Sequence, residues 1–365
     1  MRVAIAPDSL KGSLSADSAA RAIAEGWRRA RPGDELLLMP QADGGEGTLD
    51  AIETCVEGAR RHKIFPVDGP DGRPMRGEWL LLPDGTAVVE LAQMCGLPLM
   101  QELDPLGSST RGMGQTIAAA LKAGVTSLVI ALGGSASTDG GSGALRALGL
   151  QLHDAGGTSL GWGGGALADL AGVDLSGLSS PPPGGVTVLT DVTAPLLGPM
   201  GAAAVFGPQK GASPAEVLHL DDALARYARL LGGDADSPGA GAAGGTAYGF
   251  AAAWGALIEP GADYLQRLTG LRDAVDKVDL VITGEGQYDA QSLGGKVVGQ
   301  VLRRADDAGT AAAVIAGQLA DRPPVWAASL VELAGSVTEA LAHPDEWLRA
   351  AGELAANELG AGKGT

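Results

Sequence analysis

The sequence is short of cysteine, aromatic residues and basic residues, and each shortage excludes something. The two cysteines, Cys55 and Cys95, are too few for a disulfide framework or a zinc site of their own and read as small buried hydrophobes. Aromatic residues make up only 4%, so the core is expected to be built from Leu, Val, Ile and Ala. Lys and Arg number 26 against 43 Asp and Glu, a net charge of −17. That balance leaves no basic stripe for nucleic acid and no basic helix for a membrane surface. No apolar run approaches the ~18 to 20 residues of a membrane span. The opening run breaks at Pro7 after four apolar residues, too short for a signal peptide. A cytoplasmic protein is expected, with no nucleic-acid or membrane partner; a homo-oligomer is left open.

Familiar catalytic signatures are missing as well. There is no G-x-x-x-x-G-K-[ST] and no G-x-S-x-G, which excludes a P-loop protein and disfavours an α/β-hydrolase. His62, His153, His219 and His343 are scattered without metal-ligand spacing. Residues 239–244 match G-x-G-x-x-G, but no strand precedes them, as dinucleotide binding requires. They read instead as a Gly/Ala-rich loop packing close to a ligand or a helix.

What the sequence does have is glycine, 58 residues of it, clustered at the ends of apolar runs. A length of 365 residues suggests about two domains. Residues 2–6 and 36–39 read as fully apolar strands, each followed by a helix, the pattern of a parallel sheet covered on both faces. At 60–67, 75–82 and 86–92 the pattern changes to an antiparallel meander, with turn signals at 69–72 and 83–85. Further strands are expected at 127–132, 186–190, 279–283, 312–316 and 331–337. Helices are expected at 112–123, 214–231, 293–308 and 344–359, and 155–185 reads as irregular. The βα rhythm of the two chain ends implies one doubly wound domain, 1–64 plus 275–365, interrupted by an inserted α/β domain with a mixed sheet, 65–274.

Ligands of open α/β sheets bind at strand carboxyl ends, and five such ends share one vocabulary. They carry Asp8, Ser9 and Lys11; Asp43, Gly44, Gly45, Glu46 and Thr48; Gly133, Gly134, Ser135 and Asp139; Asp191, followed by Lys210; and Glu285, Asp289 and Lys296. Glycines let backbone N–H groups approach phosphate oxygens, carboxylates suit Mg²⁺, and lysine is a point charge for phosphate.

Several long motifs resemble the bacterial glycerate kinase type 1 family. They are Pro7-Asp8-Ser9-Leu10-Lys11-Gly12-Ser13, Ala42-Asp43-Gly44-Gly45-Glu46-Gly47-Thr48, Leu132-Gly133-Gly134-Ser135-Ala136-Ser137-Thr138-Asp139-Gly140-Gly141, Phe206-Gly207-Pro208-Gln209-Lys210-Gly211 and Thr283-Gly284-Glu285-Gly286. The resemblance implies phosphorylation of D-glycerate by ATP with Mg²⁺, mostly to 2-phosphoglycerate. It also implies a flavodoxin-like domain paired with a restriction-endonuclease-like one. On that reading Asp191, Asp43 and Asp289 hold Mg²⁺ or act as base, with Asp191 and Asp43 the first metal ligands and Asp8 and Asp139 behind them. Lys11, Lys210 and Lys296 neutralise phosphate, residues 133–135 and 44–48 offer backbone N–H groups, Arg111 meets the acceptor carboxylate, and the site lies in an interdomain cleft. Two positions depart from the family pattern: Ala194 stands where Asn is usual and Gln287 where Arg is usual. A kinase for another small hydroxy acid and a nucleotide-sensing protein without turnover are the alternatives.

Overall fold

A computed structural model describes residues 1–10, 12–294 and 296–360 of this α/β chain. The chain divides into two compact units. One comprises Met1–Asp43, Asp50–Glu57 and Ala262–Thr365, the other Gly44–Leu49 and Gly58–Gly261. The return to the first unit comes at Ala262, earlier than the rhythm of the sequence suggests. Ala262, Leu271 and Val275 pack with Ala4, Ala6 and Val281 in one buried cluster.

The first unit is built on a five-stranded, wholly parallel sheet. Its strands run in the order Trp326–Ser329, Ala311–Ala316, Leu280–Gly284, Arg2–Pro7, Glu35–Leu38. Numbered along this unit, that is 5-4-3-1-2, the flavodoxin-like order. The strand at the N-terminus pairs directly with one near residue 280, Val3 opposite Leu280. Both faces of the Arg2–Pro7 strand are covered, so Val3, Ala4, Ile5 and Ala6 are all fully buried. Val3 and Ile5 pack with Ile23, Trp27 and Leu348 from helices Ala16–Ala30 and Pro344–Leu359. Ala4 and Ala6 pack with Val297 and Val301 of helix Val297–Ala308. Ser15 caps the first helix by accepting the Ser18 N–H. Where helices Ala16–Ala30 and Pro344–Leu359 cross, a Cβ on Gly26 would sit 1.9 Å from the Arg349 carbonyl oxygen, so only glycine permits the approach.

The last strand is Trp326–Ser329, not 331–337, which forms helices Leu330–Ala334 and Val337–Ala342. The reason is capping. Ser329 accepts the Glu332 N–H and Ser336 accepts the Glu339 N–H, two Ser-x-x-Glu starts that favour helix over strand.

The second unit has a six-stranded mixed sheet in the order Leu257–Glu259, Val186–Leu189, Ser127–Ala131, Thr86–Glu90, Pro74–Leu81, Arg60–Asp68. The first four strands are parallel and the last two pairings antiparallel. The expected meander is therefore only half of the arrangement: its third strand also opens the parallel series. Residues 155–185 are not wholly irregular, since Gln151–His153 pairs with Gly172–Asp174. Helix Ala242–Trp254 and strand Leu257–Glu259 were not legible. Ala243, Gly244 and Gly245 open that helix with φ of 52°, 64° and 87°, so its start carries a left-handed turn instead of a recognisable cap. The glycine run at 239–245 packs on the 133–141 loop: Gly140 N–H donates to the Gly244 oxygen. No strand precedes it, as the sequence indicates. Among the described residues no helix is long and apolar enough to cross a membrane.

Candidate functional site

Each unit carries a cavity at the carboxyl ends of its parallel strands. In the first unit a cavity of about 470 Å³ is lined by Asp8, Ser9, Ser13, Asp43, Glu285, Gln287, Asp289 and Lys296 among others. It stands at the topological switch point, where the chain leaves the Arg2–Pro7 strand on one side and Leu280–Gly284 on the other. The two strand ends are tied there by the Asp8 N–H donating to the Gly284 oxygen at 2.8 Å. Asp8 is nearly buried, and its Oδ1 accepts the Ser9 N–H at 2.6 Å. Asp289 Oδ1 accepts the Gln291 N–H at 2.9 Å, and Ser292 Oγ accepts the Asp289 N–H at 3.0 Å, which fixes the turn carrying it. Lys296 Nζ lies 3.9 Å from Glu285 Oε2. Six of the expected residues, Asp8, Ser9, Asp43, Glu285, Asp289 and Lys296, thus share one cavity. Gln287, the departure from the family pattern, lines it too. Lys11 lies outside the described residues.

The far wall of this cavity was missed. Leu330, Val331, Val337, Ala340, Leu341 and Pro344 line it, and Val337 and Leu341 are 49% and 62% exposed. The paired Ser-x-x-Glu caps were the signal that places these apolar side chains on helices.

In the second unit a cavity of about 400 Å³ is lined by Gly133, Gly134, Ser135, Thr190, Lys210 and Glu46, with apolar walls that include Leu97, Leu99, Val192 and Phe206. Two buried carboxylates build its rim. Glu90 accepts the Gly47 N–H through Oε1 at 3.1 Å and the Leu49 N–H through Oε2 at 3.0 Å. This holds the 44–49 loop, and the Gly133 N–H donates to the Gly44 oxygen. Gly44 and Gly45 therefore back the 133–135 loop and are not themselves in the lining. Asp139 is fully buried. Its oxygens accept the Thr110 N–H and hydroxyl, both at 2.9 Å, and the N–H groups of Gly141 and Gly143 at 3.1 and 3.2 Å. The expectation that Asp139 meets a ligand is corrected: it is spent on holding the loop from inside.

Lys210 sits in the turn Pro208–Lys210, only 2% exposed, and its Nζ donates to the Ser137 carbonyl oxygen at 2.5 Å. Burial pushes its ammonium down to about 8, with Asp139 pulling the other way. Asp191 is exposed, between Thr190 and Val192, which face the cavity. Arg111 lines neither cavity. Its guanidinium is 2.9 Å from Asp68 and stacks over Trp162, so its charge is already engaged. Burial holds both thiols at about 12, which leaves Cys55 and Cys95 unreactive.

The arrangement is one of glycine loops, hard oxygen ligands and single lysines at strand ends, suited to anions and to phosphoryl groups. Comparison with known proteins agrees. The chain is 41% identical over 360 residues to glycerate 2-kinase of Escherichia coli (strain K12), covering 96% of this chain and 94% of that protein. It is 40% identical over 374 residues to glycerate kinase of Bacillus subtilis (strain 168), covering 98% and 97%. A crystal structure described as that of a "putative glycerate kinase 2" from Salmonella typhimurium LT2 superposes with a TM-score of 0.84 at 38% identity, covering 100% of this chain and 99% of that one. The family model for the glycerate kinase family matches residues 3–359, and the chain accordingly belongs to that family and is an enzyme of the phosphotransferase class.

Proposed function

We propose that the chain transfers the γ-phosphoryl group of ATP to a hydroxyl of D-glycerate, giving 2-phosphoglycerate. The observation that carries this reading is the first unit's cavity, where acidic, hydroxyl and lysine side chains gather at a flavodoxin-like switch point beside an apolar wall. The wall of Val331, Val337, Ala340 and Leu341 suits a flat base, and the polar strand ends suit the phosphates. Phosphoryl transfer needs mainly alignment and charge neutralisation. Lys296 is assigned to the phosphates, with the Ser9 and Ser13 hydroxyls as donors.

Mg²⁺ prefers hard oxygens and keeps several waters, binding through one or two carboxylates plus phosphate. Among the described residues no three His, Cys, Asp or Glu side chains are grouped to hold an ion alone. Asp43 and Asp289 do line the same cavity, a donor set that fits an ion shared with phosphate, and we assign it to them. Such an ion supplies charge neutralisation on the transferring group. Asp191 is assigned as acceptor of the glycerate hydroxyl proton. The test is ADP release with and without D-glycerate, with phosphorus NMR of the product. Glycerate-dependent release and a 2-phosphoglycerate signal support the reading; saturable ATP binding without turnover overturns it.

A further inference from the structure

We infer that Lys210, in the cavity of the second unit, reads the carboxylate of the acceptor acid, an assignment that rests on the glycerate kinase reading above. An ammonium has three N–H groups to place, and Lys210 places one, on the Ser137 oxygen. That oxygen already takes the Ser135 hydroxyl at 3.2 Å, so holding the loop does not require the lysine. Asp139 is the acid whose charge reaches Lys210. Its oxygens are committed to Thr110, Gly141 and Gly143, and it makes no ion pair with the lysine. A buried cation without a counter-ion is costly, and the lowered affinity of Lys210 for its proton expresses that cost. An anion entering the cavity supplies the missing partner.

Charge selects which anion. The first unit's cavity presents Asp8, Asp43, Glu285 and Asp289 against Lys296. A carboxylate arriving without a cation is repelled there. In the second unit the lining presents Lys210 and one acid, the exposed Glu46, and the buried ammonium meets a monoanion one to one. The neighbouring N–H groups of Gly134 and Ser135 and the Thr190 hydroxyl offer partners to the acid's remaining oxygens.

The experiment compares wild type with Lys210→Met and Lys210→Arg. It measures the KM for D-glycerate and for ATP, glycerate binding by calorimetry in two buffers of different ionisation enthalpy, and turnover of glycerol, which lacks the carboxylate. Losing a charge-assisted hydrogen bond should raise the glycerate KM about 10- to 100-fold in Lys210→Met. Lys210→Arg should recover part of the loss, and the ATP KM and any turnover of glycerol should stay within twofold. Wild type at pH 8.5 should take up about half a proton or more on binding glycerate, a readout that needs no variant. A rise in the ATP KM alone gives the lysine to a phosphate and overturns the inference, leaving the kinase reading intact. An unchanged glycerate KM with no proton uptake makes Lys210 structural and also overturns it. Wild type that releases no ADP with glycerate fails the kinase reading itself, and this inference with it.

Discussion

The two cavities use acidic residues in opposite ways. In the second unit Asp139 and Glu90 are fully buried and their oxygens accept loop N–H groups. In the first unit Asp43 and Asp289 are half-buried and face the cavity. Asp139, Asp43 and Asp289 all sit in glycine-bearing loops at strand ends, so their local sequence looks alike. The difference lies in where the carboxylate stands, sealed in the interior or facing a cavity. An acid sealed beneath its loop shapes that loop, and one that faces a cavity is placed to meet a ligand.

The sharpest way to break this contrast is Asp139→Ala. It strands the Thr110, Gly141 and Gly143 donors in the interior, and the expected cost is about 3–5 kcal/mol, read as a lowered urea midpoint and poor folded yield. A variant as stable as wild type would erase the distinction. Next is Asp191→Asn, which removes the charge from an exposed carboxylate. Turnover should fall ~100-fold with the thermal midpoint unchanged, the reverse of the Asp139 outcome. Partial rescue by added Mg²⁺ would move Asp191 from the base role to the metal. Leu341→Asp then tests the apolar wall. Placing a charge beside the base should raise the ATP KM about 10-fold, in line with loss of the apolar area the base would cover on an exposed leucine, with the glycerate KM unchanged.

The smallest effect is a pH dependence. The ammonium of Lys210 sits at about 8 when folded, against an ordinary 10.5. Below pH 8 both states are charged and the full burial cost is present. Between 8 and 10.5 the unfolded chain holds the proton and the folded chain does not, so this group favours folding more as pH rises. From pH 8 to 9 wild type should gain about 1 kcal/mol relative to Lys210→Met, measured as the difference of their unfolding free energies.

Much of the fold was legible because the central strands are apolar on both faces. Residues 3–6, 128–131 and 280–282 admit no other assignment once helices flank them. The Trp326–Ser329 strand was not, because a short alanine-bearing segment just after Pro323 and Pro324 carries no pattern of its own. Helix Ala242–Trp254 was hidden by the glycines that open it. At the cavities, residue types were legible and burial was not. Asp139 is settled by Thr110, twenty-nine positions away, and Lys210 by its bond to Ser137, seventy-three away. Nothing local marks either as interior. Glu90 ends a strand of the meander and reads as an ordinary polar end residue until the 44–49 loop folds onto it.

The pairing of Val3 with Leu280 has a consequence for synthesis on the ribosome. The 276 residues between them take roughly 14 to 55 s to make at ~5–20 residues per second. Throughout that interval the apolar N-terminal strand lacks that neighbour, whereas the six strands of the second unit are all made before residue 280 is reached. Nascent chains arrested near residue 270 should therefore expose the first strand to chaperones and proteases yet protect the Ser127–Ala131 core. Slow translation of the last hundred codons would lengthen the vulnerable period without altering any contact of the finished enzyme.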